Sequence, residues 1–477
     1  MTDSIKPSMT VYVASFGALL GSVSMGLALG YTTPAFYDMN EHPESSPLNS
    51  DEETKEGQKA VIGSILAVGA LVGGFLGEPS NKMLGRKLSL IAYGIPFILG
   101  WLLLMFANSV QVLVFGRLLT GLCCGLVSGT APTYVVEIAP PCIRGLLGTS
   151  FQVMAVIGIL LACVFGLFST WSQLAAWSMV PSLIMMAIMF FMPETPQWLL
   201  SKGRHQEAEA SLKRLRTTSV AQEFSVMVQA AVKDQQGGSQ YSLATIRNRE
   251  FYKPFVLALG LMFFQQFSGI NAILFYQTDI FKKASPNADA LRSALYVCIA
   301  QTVATVLACG LADKLGRKIL LIASGIGHTV SLIVFGWHCH QSDADKTFDL
   351  NYGWISLVSL MSFVVSFSMG FGPVPWMMIP ELTSTRVRSL VASVATAFNW
   401  ACVYTVTASV KSITLTLGSD VTYWTFAIIC VASCLFVFYA LPETRGKTSE
   451  QIQAEILGRQ SNESGRSQQG EAMRNMS

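Results

Sequence analysis

Apolar runs about as long as a bilayer is thick alternate with short polar stretches along almost the whole chain. They fall at residues 11–34, 60–78, 88–107, 112–137, 146–169, 172–192, 255–282, 291–312, 319–338, 354–380, 389–411 and 421–441. A spanning helix needs roughly 20 apolar residues, because away from water every backbone N–H and C=O must be paired within the segment. The pattern predicts an all-α membrane protein of twelve transmembrane helices in two six-helix halves, 11–192 and 255–441. Residues 1–10 form a short N-terminus, 193–254 a polar central segment with short helices, and 442–477 a polar tail.

Composition supports this: 51% of the 477 residues are hydrophobic and 13% charged, against roughly a quarter charged in soluble domains. The charge distribution sets the orientation. The central segment carries Lys202, Arg204, Lys213, Arg214, Arg216, Lys233, Arg247, Arg249 and Lys253, whereas residues 35–59 carry seven acids against Lys55 and Lys59. Lys and Arg concentrate in cytoplasmic loops, so the central segment and both termini are expected in the cytosol, and the membrane is expected to be the plasma membrane. The first apolar run lacks the flanks of a cleaved signal and is expected to be retained. The net charge of +3 reflects orientation, and no nucleic-acid partner is expected. The ten Cys fall in or beside spans, with no paired extracellular spacing and no ligand spacing with His. That pattern argues against disulfides, zinc or any other cofactor. His328, inside a span, reads as packing.

The two halves repeat. Leu84-Gly85-Arg86-Lys87 matches Leu315-Gly316-Arg317-Lys318, Glu137 with Arg144 matches Glu381 with Arg388, and Pro193-Glu194-Thr195 matches Pro442-Glu443-Thr444. Each pair occupies the same place in its half, as in transporters built from related repeats. With these motifs, PETPQWLL at 193–200, QQFSGIN at 265–271, GPVPW at 372–376 and PETRG at 442–446, the chain resembles the sugar porter family of the major facilitator superfamily over residues 10–455. Within it, LMFFQQFSGINAILFY at 261–276 and SVATAFNW at 393–400 look most like insect facilitated trehalose transporters and animal facilitative glucose transporters. The resemblance implies a monomer in a lipid bilayer that carries a small sugar.

A sugar offers hydroxyls that donate and accept, plus apolar C–H faces, so its site needs converging amides and an aromatic platform. The seventh span supplies Gln265, Gln266 and Asn271, with Ser268 and Gly269 loosening the helix between them. Gln152, Gln301 and Asn399 are further amides in otherwise apolar spans. The resemblance places sugar contacts on these six residues and on Trp376, with Phe367, Tyr276 and Trp400 as aromatic walls. It also shows departures: Gln301 and Val403 stand where the family has Asn, Phe275 where it has Tyr, and Ser368 where it often has Glu. Gln152 resembles the hexose carriers, so hexose and trehalose both stay open.

Arg86, Glu137, Arg144, Arg317, Glu381 and Arg388 lie at mirrored helix ends, where pairing across the halves would clamp the cytoplasmic mouth. Gly372, Pro373 and Pro375 must bend the tenth span, since Pro lacks the donor and clashes with the preceding turn. Arg117 either snorkels to the interface or joins the charge network. Thr32 stands where proton-driven sugar symporters that this sequence resembles carry an Asp, which favours uniport over symport. A receptor of transporter-like fold is disfavoured by the short ends. An enzyme is disfavoured because no nucleophile-base pair or metal cluster is visible.

Overall fold

The computed structural model describes residues 6–49, 51–217, 220–236, 249–275, 277, 289–345, 348–383, 388–445, 447 and 449–457. Among them regular structure is helical, apart from one isolated antiparallel bridge between Pro7 and Arg216. Twelve helices are long and apolar enough to cross a bilayer: Met9–Glu41, Glu53–Leu84, Arg86–Met105, Val110–Ile138, Arg144–Gly166, Trp171–Phe191, Tyr252–Phe275, Ala290–Leu311, Arg317–Ala344, Trp354–Leu382, Leu390–Leu417 and Ser419–Ala440. This is the multi-pass membrane architecture expected, with shifted edges. The second span starts inside the acidic stretch read as a loop because Asp51 caps it, its carboxylate accepting the Thr54 N–H at 3.0 Å.

Shorter helices at Pro196–Ser201, His205–Leu215 and Ala221–Gln236 occupy the central segment. The segment touches both chain ends: Ser8 donates to the Arg214 carbonyl at 2.7 Å, and Lys253 Nζ at the start of the seventh span donates to Ile456 at 2.6 Å. One face therefore carries the first and last described residues together with the central segment. It is called the terminal face below, and the other the opposite face.

Small residues bring helices into backbone contact. A Cβ on Gly26 would collide with the Ala155 carbonyl, and one on Gly158 with that of Val23, so the first and fifth spans touch directly. Gly69 and Gly73 press likewise on the fourth span. Lipid offers no hydrophobic drive between helices, so close van der Waals packing of this kind replaces it. Each half has its own core, the first around Phe97, Trp101 and Tyr134, the second around Phe335, Phe363 and Phe371.

The repeated motifs form one device, built twice. Gly85 and Gly316 take φ of 89° and 98°, a left-handed conformation open to glycine, and a new span begins at the next residue. The carboxylate of Glu194 then accepts the N–H groups of Arg86 at 3.1 Å and Lys87 at 3.0 Å. In the second half Glu443 accepts those of Arg317 and Lys318, each at 3.1 Å. Four N–H groups are unpaired at any helix start, and an acid from the end of the sixth or twelfth span satisfies two of them.

The two caps differ in electrostatics. Burial keeps the Glu194 carboxyl above the usual range despite its backbone donors. Burial also pushes Glu443 upward, but the N–H groups of Arg445, Lys318, Arg317 and Thr444 outweigh it and hold that carboxyl below the usual range. A carboxylate depressed on folding contributes stability above its unfolded pKa and loses it as pH falls through the folded one. Glu443→Gln is therefore expected to lower the melting temperature of the detergent-solubilised protein at neutral pH. The deficit should close as the medium is acidified below the carboxylate range, and a deficit unchanged by acid would refute the charged cap.

Candidate functional site

Two spans break at the same depth and face each other. The seventh is helical to Phe267 and resumes after Gly269, whose φ of 90° suits glycine and whose Cβ would press on the Phe426 ring at 2.7 Å. The tenth is helical over Trp354–Met369 and again over Val374–Leu382. Pro373 and Pro375 withhold donors, which frees carbonyls in a water-poor place. Gln265 Nε2 covers the one opposite Pro375, donating to the Phe371 carbonyl at 2.7 Å, and also reaches that of Gly372 at 3.1 Å.

The amides join into one network around that contact. Gln265 Oε1 accepts from Asn399 Nδ2 at 2.8 Å, Gln266 Nε2 donates to Asn399 Oδ1 at 3.2 Å, and Asn271 Nδ2 donates to Gln266 Oε1 at 2.5 Å. Gln265, Gln266 and Asn399 are buried. Four of the expected sugar residues are thus brought together from the seventh and eleventh spans.

The other three make no hydrogen bond to this network among the described residues. Gln152 and Trp376 are half-buried, and Gln301 is buried with Oε1 lacking a partner. Trp400, next to Asn399, is buried with its indole N–H also unpartnered. An orphaned acceptor and an orphaned donor are what a ligand hydroxyl can satisfy in turn. Phe367 packs into the second-half core, its ring centroid 5.8 Å from that of His328. Tyr276 lies outside the described residues.

Toward the opposite face the two halves meet. Thr33 Oγ1 donates to the Leu274 carbonyl at 2.8 Å, tying the first span to the seventh one turn beyond Asn271. Beside it, Thr33, Ile159, Asn271 and Gln277 line a cavity of about 10 Å³, room for a water and not for a sugar. Among the described residues, the Thr33–Leu274 contact closes the first and seventh spans on each other toward the opposite face. Gln277, buried with Oε1 unpartnered, and Thr33 were not among the sequence candidates; an amide two residues past Phe275 was the available signal.

Two of the expected charged groups' ion pairs are described, and each lies within one half. Arg86 Nη2 bonds Glu137 Oε1 at 2.9 Å and Arg317 Nη2 bonds Glu381 Oε1 at 3.1 Å, each within its own half. Thr444 Oγ1 also donates to Glu381, at 2.6 Å. Arg144 is exposed and reaches the Ala139 carbonyl at 3.3 Å instead of an acid. The side chain of Arg388 lies outside the described residues. Arg117 neither snorkels nor joins these pairs. It is fully buried, with Nη1 on the Ala28 carbonyl at 2.6 Å and its guanidinium 5.8 Å from the centre of the Tyr31 ring.

The family model for "Sugar (and other) transporter" matches residues 10–456. The chain belongs to this sugar transporter family. It is similar to proteins named "Facilitated trehalose transporter Tret1": 36% identical to that of Polypedilum vanderplanki, over 94% of this chain and 88% of the relative, and 34% identical to that of Apis mellifera ligustica, over 94% and 88%. Against the Tret1 of Anopheles gambiae it is 35% identical over 96% of its own length and spans 59% of that protein. Among solved structures it resembles the proton:xylose symporter XylE bound to 6-bromo-6-deoxy-D-glucose, with a TM-score of 0.78 at 25% identity, covering 94% of this chain and all of that one. The inward open xylose transporter XylE from E. coli gives 0.75 at 23% identity, over 93% and 99%. These relatives are transporters, not enzymes, and the structural likeness establishes the major facilitator fold.

Proposed function

We propose that this family member carries a hexose or trehalose by facilitated diffusion, its two halves rocking around the amide network so that one mouth opens as the other shuts. The observation that carries the reading is the meeting of two broken spans at Gln265, where amides of Gln266, Asn271 and Asn399 converge beneath the closed Thr33–Leu274 contact. Gln152, Gln301, Trp376 and Trp400 complete the sugar site on this reading. The pairs Arg86–Glu137 and Arg317–Glu381 brace the terminal-face end of each half. The Lys and Arg of the central segment support a cytosolic terminal face, and on this reading a monomer in the plasma membrane, with no nucleic-acid partner, suffices for the task.

Uniport follows from the first span, which holds no acid between Met9 and Tyr37. Thr32 is buried there, its hydroxyl without a partner, and cannot titrate. In proteoliposomes a non-metabolised sugar is expected to equilibrate without accumulating, at the same rate with and without an imposed proton gradient. A panel of competing hexoses and disaccharides in the same assay identifies the substrate. Accumulation only from an acidic exterior would establish symport instead.

A further inference from the structure

Near the opposite face, the fifth span of the first half crosses the eighth span of the second. There the Sγ atoms of Cys163 and Cys298 lie 3.0 Å apart. Both side chains are buried, in an apolar cluster with Ile159, Leu29, Leu160 and Leu295 drawn from both halves. Neither is in a disulfide. Aliphatic side chains would pack this seam as well as thiols do; two facing sulfurs add one chemistry that packing does not require, the two-electron oxidation to a disulfide.

We infer that Cys163 and Cys298 form an oxidation site at which a peroxide staples the two halves together and arrests transport with the opposite mouth shut. The site rests on the alternating-access reading, since the staple acts by preventing a separation that each cycle requires. Ile159 and Leu29 also line the small cavity beneath Thr33, so the thiols belong to the seam that must part when this mouth opens.

The chemistry runs in two steps. With the mouth open, water and peroxide reach the seam, and one cysteine attacks the peroxide as its thiolate. A sulfur–oxygen bond forms, the oxygen–oxygen bond breaks, and the peroxide leaves as water or an alcohol, giving a sulfenic acid. When the mouth closes, the second thiol attacks that sulfur, forming the disulfide and releasing water. Two thiols and one peroxide thus become one disulfide and two molecules of water, or of water and alcohol. The two electrons pass from sulfur to the peroxide, and a dithiol reverses the reaction. A disulfide holds its Cα atoms within about 7 Å, so the spans it joins cannot move apart.

The test uses the full chain with a protease site inserted between Gly237 and Gly238, reconstituted in liposomes, treated with hydrogen peroxide and then cleaved. On a non-reducing gel the halves are expected to run together, and to separate after dithiothreitol. Cys163→Ser, Cys298→Ser and their Ala counterparts should separate with or without peroxide. Uptake should fall in proportion to the cross-linked fraction, recover with dithiothreitol, and resist peroxide in the single variants. Mass spectrometry of the untouched sequence should find the Cys163 and Cys298 peptides joined, which needs no variant to fold. Halves that separate after peroxide, or that stay joined in a single variant, would overturn the site. A cross-link that leaves uptake unchanged would overturn the arrest. If the untreated protein carried no sugar, the transport reading would fail, and the gel would still decide the cross-link.

Discussion

Gln266→Ala is expected to weaken sugar binding by roughly 5- to 150-fold, the equivalent of 1 to 3 kcal/mol for buried polar groups left without a partner. The size follows from where Gln266 sits. Its amide nitrogen serves Asn399 Oδ1 and its oxygen accepts from Asn271 Nδ2, so truncation takes a partner from each of two other amides besides removing its own contact. Asn271→Ala removes one arm of the same chain, and the double variant should cost less than the sum, because contacting residues do not act additively. Equilibrium binding of labelled sugar in membranes, read beside the melting temperature, separates loss of affinity from loss of fold. Unchanged binding in both single variants would show that the network is interhelical packing and that the sugar binds elsewhere.

The spans and the repeat were legible in the sequence because both are one-dimensional signals: length of apolar run, and order of motifs. The breaks were legible too, since glycine at 269 and prolines at 373 and 375 act on their own backbone. What the sequence does not carry is direction around each helix axis. It placed Glu137, Glu381 and the arginines at mirrored ends, yet Arg86 and Arg317 turn toward the acid of their own half and Arg144 toward a backbone carbonyl. Gln265 illustrates the same limit. Read as a sugar amide, it uses its nitrogen on carbonyls freed in another span, a demand that exists only once the two breaks are at one height. The acid of each PET motif was visible as a repeat, but its task of capping the start of another span requires three segments in space. Cys163 and Cys298, 135 residues apart, carry no signal of contact in spacing.

The substitution Thr32→Asp is expected to make transport depend on pH, whereas the unmutated protein is expected to show no such dependence. Ala28, whose carbonyl receives Arg117, precedes Thr32 by four residues, so the two positions lie on one face of the first span. Arg117 has a buried nitrogen, Nη2, without a partner, and Thr32 a buried hydroxyl without one. An aspartate at this position would stand about one helical turn, ~5.4 Å, from that guanidinium. Both positions lie in the first half and keep their spacing as the halves rock, so Arg117 would balance the charge only in part, and rocking would carry the carboxylate between water and a seam that shuts water out. An uncompensated buried charge costs several kcal/mol, so the variant should slow sharply in neutral medium and recover rate as acid supplies the proton. Thr32→Asn, equal in shape and unable to titrate, should remain flat with pH. A pH-dependent Asn variant would trace the effect to packing instead of charge, and a flat Asp variant with full uptake would mean that position 32 does not sense the transport cycle.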